Sequence, residues 1–129
     1  MSTLSGEVRA ALDAAVAAIG GAPREGQIEM AEAVANALQD RHHLMVQAGT
    51  GTGKSLAYLI PAIVHGRKVV VATATLNLQR QLVERDLPAV VPALEKHLGR
   101  EVTYAIYKGV GNYICLAKMN SEEPDVDGE

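Results

Sequence analysis

The chain has 129 residues, enough to bury one core and too few for two independent ones. Its formal charge of −3 hides a split: residues 121–129 hold five acids and no base, and the rest carries +2 without them, which permits nucleic acid as a partner without demanding it. Almost half the residues are apolar (48%) but Phe and Trp are absent, so the core falls to Ala, Val, Leu and Ile, the mix of helices on a parallel sheet. The single Cys115 excludes an internal disulfide, no apolar run nears the ~18 residues of a membrane span, and the first residues lack a secretory pattern. A cytoplasmic protein with no membrane partner is the expectation.

Taken in chain order, Ser5 to Ile19 is an Ala-rich helical stretch stopped by Gly20-Gly21. Pro23 opens a second helix, Arg24 to Asp40, with Met30, Val34, Ala37 and Leu38 on one face. Leu44-Met45-Val46 reads as a short strand entering a glycine-rich loop, and a helix follows from Lys54 to about Val64. Lys68 to Ala74, with Val69-Val70-Val71, reads as a strand buried on both faces. Leu76 to Leu98 is helical but must break or kink around Pro88 and Pro92. Val102 to Tyr107 completes the pattern as a third strand. Strand, helix, strand, helix, strand predicts an α/β fold: a parallel sheet with helices on both faces and the ligand edge at the strands' carboxyl ends.

At the first of those ends stands Ala48-Gly49-Thr50-Gly51-Thr52-Gly53-Lys54-Ser55. Strand, glycine loop, Gly-Lys-Ser and helix together form a phosphate loop. Gly51 and Gly53 let backbone amides turn toward phosphate, and the helix starting at Lys54 aims its positive end at the same anion. Lys54 reaches the β- and γ-phosphates as the catalytic cation, Ser55 offers its hydroxyl to magnesium, and Gly49 to Gly53 line the phosphates. Upstream, Arg24, Gln27 and Met30 are three apart and share one helix face. The Gln27 amide carries the donor and acceptor that match adenine.

These residues resemble superfamily 2 helicases. Arg24-x-x-Gln27-x-x-Met30 is similar to the adenine-reading Q motif of the DinG and XPD branch, and Ala48 at the head of the loop resembles the same superfamily. Thr73-Ala74-Thr75-Leu76-Asn77-Leu78-Gln79 is similar to that branch's motif Ia, which implies that Thr73, Thr75 and Gln79 meet the backbone of single-stranded DNA. A plain helix cap at Thr75 is the competing reading. Lys108-Gly109-Val110-Gly111-Asn112-Tyr113-Ile114-Cys115 resembles the K-G-x-x-N-Y-x-C stretch of DinG-type helicases, where the cysteine is the first ligand of a 4Fe–4S cluster. Such a cluster takes four thiolates, so one copy of this chain cannot assemble it.

The resemblance implies that residues 1–120 are the N-terminal part of a RecA-like helicase domain and residues 121–129 an acidic tail without fixed structure. It implies a parent enzyme that binds ATP and magnesium, moves on single-stranded DNA and works in DNA repair. No Asp-Glu-Ala-His sequence occurs, so the chain alone is expected to bind nucleotide without hydrolysing it. Two alternatives stand beside this: a non-catalytic nucleotide- or DNA-binding module, and a small phosphate-loop kinase, which would need several arginines after the core. His42-His43 reads as a solvated turn, and the tyrosines at 104, 107 and 113 either stack bases or close the core.

Overall fold

Thr3 begins the first helix: its hydroxyl accepts from the Gly6 amide at 3.3 Å, satisfying one of the orphan donors of a helix start. The computed structural model describes residues 3–49 and 53–120, so the acidic tail and Thr50, Gly51 and Thr52 of the glycine loop lie outside the described residues. Helix α1 (Leu4–Ala18) buries Val8, Ala11, Leu12, Ala15 and Val16, the spacing of a single helical stripe. It stops at Gly20, whose φ of 76° suits glycine, and the Gly21 amide returns to the Val16 carbonyl.

Helix α2 (Glu25–Asp40) buries Gln27, Ala31, Ala35 and Ala37, while Met30 and Ile28 pack partly against the core. Its inner face is therefore lined with alanines, which let neighbouring helices approach closely. Helix α3 (Lys54–His65) runs from the glycine loop through the centre of the molecule. Its Leu56, Ala57 and Ile60 join the cluster made by α1, α2 and α5, while Leu59 packs with Leu82, Leu87 and Val91 on another side. The helix that begins at the glycine loop is thus gripped on two sides.

The run from Leu76 contains no break. Helix α4 (Leu76–Gln81) passes through a π-turn at Leu82–Asp86 directly into α5 (Leu87–Leu98). The cause is Pro88, which has no amide to give and whose ring crowds the carbonyl four residues back. The wider turn ahead of it, closed by the Leu87 amide on the Leu82 carbonyl, absorbs the conflict. Pro92 is carried inside α5. A 3₁₀ turn at Val110–Asn112 and a short helix α6 (Leu116–Asn120) follow.

The expected parallel sheet is not found: the described residues are helical or irregular and contain no strand. The segments predicted as strands, around Leu44–Val46, Val69–Ala74 and Val102–Tyr107, connect the helices instead. Apolar, β-branched sequence favours extended backbone, but a strand exists only where a neighbour's amides and carbonyls line up with it. These segments have no such ladder, and the apolar helix faces bury against one another, so the core is helix on helix. The apolar side chains of these segments are left exposed, Met45 at 97% and Val70 at 93%, whereas a strand covered on both faces would hide them.

Candidate nucleotide-binding site

The site is assembled where the first turn of α2 meets the start of α3. Arg24 is the N-cap of α2; its carbonyl accepts from the Gln27 and Ile28 amides at 3.0 Å each, and its side chain is exposed. That turn directs Gln27 inward, where only 6% of the residue remains exposed. A buried amide must be paired, and Gln27 Nε2 donates to the Gly53 carbonyl at 3.1 Å. The same carbonyl accepts the Ala57 amide at 3.2 Å as the first bond of α3.

Gly53 is required twice over. As N-cap of α3 it holds φ 73° and ψ 34°, a left-handed conformation that costs a non-glycine residue. A Cβ there would lie 2.2 Å from Gln27 Nε2 and 3.0 Å from its Cδ. The glutamine and the glycine loop are therefore fitted to each other, a relation that their separation of 26 residues conceals in the sequence.

Lys54, the first residue of α3, folds back over the loop. Its Nζ donates to the Ala48 carbonyl at 2.9 Å and the Gly49 carbonyl at 3.1 Å. The ammonium thus sits beside the Ala48 and Gly49 carbonyls, two neutral acceptors that a phosphate oxygen outcompetes through charge. Ser55, the second residue of α3, is half-buried beside it. With three donors on Lys54, the hydroxyl of Ser55 and the positive end of a 12-residue helix, these residues fit a magnesium-bound polyphosphate. Thr50, Gly51 and Thr52, also expected to line the phosphates, lie outside the described residues.

The residues expected at DNA form a second group. Thr75 caps α4, accepting from the Leu78 amide at 3.2 Å, and Thr73 donates its hydroxyl to the Thr75 carbonyl at 3.1 Å. Gln79 lies one turn further along, with Nε2 donating to the Tyr107 carbonyl at 3.2 Å. Cys115 is exposed just ahead of α6, and no three His, Cys, Asp or Glu side chains gather into a metal site among the described residues. One thiolate does not fit a 4Fe–4S cluster by itself.

Sequence reasoning missed Arg100. Its guanidinium donates to the Ile63 carbonyl and, at 3.4 Å, to the Val64 carbonyl, tying down the C-terminal end of α3. A cation at a helix C-terminus is the sign the dipole favours. The signal was absent because the partners are 36 and 37 residues apart.

Residues 27–120 match the model of the DEAD/DEAH box helicases. The chain belongs to the DEAD/DEAH box helicase family. It is 57% identical over 111 residues to the ATP-dependent helicase DinG of Mycobacterium tuberculosis strain H37Rv, covering 83% of this chain and 17% of that protein. The ATP-dependent DNA helicase YoaA of Escherichia coli K12 is 46% identical over 100 residues, 78% of this chain and 15% of that one. The 3'-5' exonuclease DinG of Bacillus subtilis strain 168 is 38% identical over 109 residues, 79% and 11% of the two. The DinG-type resemblance read from the motifs therefore stands, and the chain spans about a sixth of the length of such curated relatives. No solved structure matches it.

Proposed function

We propose that this chain is the ATP-binding portion of an ATP-dependent DNA helicase of the DinG type that moves along single-stranded DNA in DNA repair. The observation that carries the reading is the Gln27–Gly53–Lys54 arrangement, an adenine-reading amide locked to the start of a phosphate-loop helix. Lys54 would move from the Ala48 and Gly49 carbonyls to the β- and γ-phosphates of bound ATP, because an anionic acceptor outcompetes two neutral carbonyls for the ammonium. Ser55 would offer its hydroxyl to the magnesium, and Arg24 and Gln27 would take the base. Gln27 keeps one amide proton on Gly53 and offers its second proton and its oxygen to the adenine edge, so base binding is felt directly at the loop.

Thr73 and Thr75 present the helix-start turn of α4 to the phosphates of single-stranded DNA, in keeping with the helicase names of the relatives. Cys115 would supply one thiolate to a 4Fe–4S cluster, whose three other thiolates this chain does not hold. No helix of the described residues is long and apolar enough to cross a membrane. The test is fluorescence anisotropy with a labelled single-stranded oligonucleotide, with and without magnesium-ATP. The reading requires salt-sensitive binding that weakens in Thr75→Ala, and binding indifferent to both salt and that substitution refutes it.

A further inference from the structure

Gln79 stands among residues expected to touch DNA, yet its side chain is committed elsewhere. The group of a glutamine that can hold a phosphate is its amide nitrogen, and Nε2 donates to the Tyr107 carbonyl, 28 residues along the chain. Its Oε1 is buried without a hydrogen-bond donor from the protein. The Tyr107 carbonyl also fixes which way round the amide lies, since the flipped form would set two oxygens against each other. Gln79 thereby lines a small cavity with Leu76, Arg80 and Glu84 from the α4 side and Ile106 and Lys108 from the other.

What Gln79 holds is the start of a self-contained loop. Beyond Tyr107, the Lys108 amide donates to the Tyr113 hydroxyl at 3.3 Å, and the Asn112 and Tyr113 amides return to Gly109 and Val110. This unit runs to Cys115 with its residues exposed apart from the half-buried Lys108, so apolar packing gives it little purchase on the helical body. The π-turn at Leu82–Asp86 bears on the same contact. It inserts one extra residue into the helical run just beyond the α4 turn that carries Gln79.

We infer that Gln79 is a positioning residue that fastens the Tyr107–Cys115 unit to α4, so that the two move as one body. This does not depend on the DNA reading, since both partners lie within the chain. Amide hydrogen exchange on the 129-residue chain tests it, with Gln79→Met chosen to keep length and apolar stem while removing the donor. Exchange at Lys108, Asn112 and Tyr113 should quicken about fivefold, the effect of one net hydrogen bond, with α1 to α3 unchanged. Unchanged rates at those three amides overturn the inference, as does an equal acceleration throughout the helices, which would mark Gln79 as a general stability contact. A second measurement needs no substitution: nuclear Overhauser contacts from the Gln79 side-chain amide to residues 107 and 108, with slowed exchange of its protons, are expected. An averaged, rapidly exchanging Gln79 amide in the unsubstituted chain overturns it.

Discussion

Replacing Gly53 with alanine attacks the joint between the glutamine and the loop at its tightest point. The left-handed φ of 73° at this N-cap costs an alanine about 1–2 kcal/mol. The new Cβ would stand 2.2 Å from Gln27 Nε2, so the amide must leave the Gly53 carbonyl. Unpairing a group that is only 6% exposed adds roughly 1–3 kcal/mol. A total near 3 kcal/mol should lower the melting temperature by about 10 °C for a chain of this size. The two causes separate in a double-mutant cycle. With Gln27→Ala already present there is no amide to displace, so Gly53→Ala should then cost only the backbone part, about 1–2 kcal/mol. Circular dichroism melts of the four proteins give the coupling energy, expected at roughly 1–3 kcal/mol, the unpairing part alone. Additive effects would show that Gln27 and Gly53 are neighbours without being joined.

Three further outcomes follow from the same geometry. Arg100→Ala frees the Ile63 and Val64 carbonyls at the end of α3 and should cost about 1 kcal/mol, seen as a melting temperature lower by a few degrees; an unshifted melt contradicts that role. Thr75→Ala removes the α4 cap, worth about 1 kcal/mol, whereas Thr75→Ser should retain it; equal melts for the two variants would discount the hydroxyl. The 129-residue chain should release no phosphate from ATP with or without DNA, because its sequence holds no Asp-Glu-Ala-His to supply the carboxylate that serves magnesium and the attacking water. DNA-stimulated phosphate release that disappears in Lys54→Ala would refute this.

Helix positions were legible because their signals are local. Gly20 and Gly99 stop α1 and α5, Thr75 starts α4, and the stripe from Val8 to Val16 repeats at helical spacing. Pro88 signalled an irregularity, a break or a kink, and the structure shows a π-turn just before it that keeps the helical run whole by widening that turn. The sheet was misread because Val69-Val70-Val71 reports only a preference for extended backbone, while strand formation depends on partners that sequence does not display. Within the site, the residue types around Gln27 and Lys54 point to nucleotide chemistry by themselves. The tertiary pairings, Gln27 with Gly53 and Gln79 with Tyr107, were not legible, since each joins positions more than 25 residues apart.

The claim on which the rest hangs is that Lys54 and Gln27 bind an adenine nucleotide at the start of α3. Calorimetric titration of the chain with magnesium-ATP and magnesium-GTP tests it most directly, repeated with Lys54→Ala and Gln27→Ala. The account predicts tighter binding of ATP than GTP, a loss of about tenfold or more for both nucleotides in Lys54→Ala through the charge-assisted phosphate contact, and loss of the ATP preference in Gln27→Ala. Equal affinity for the two nucleotides in the unsubstituted chain, or affinity indifferent to Lys54, would contradict it.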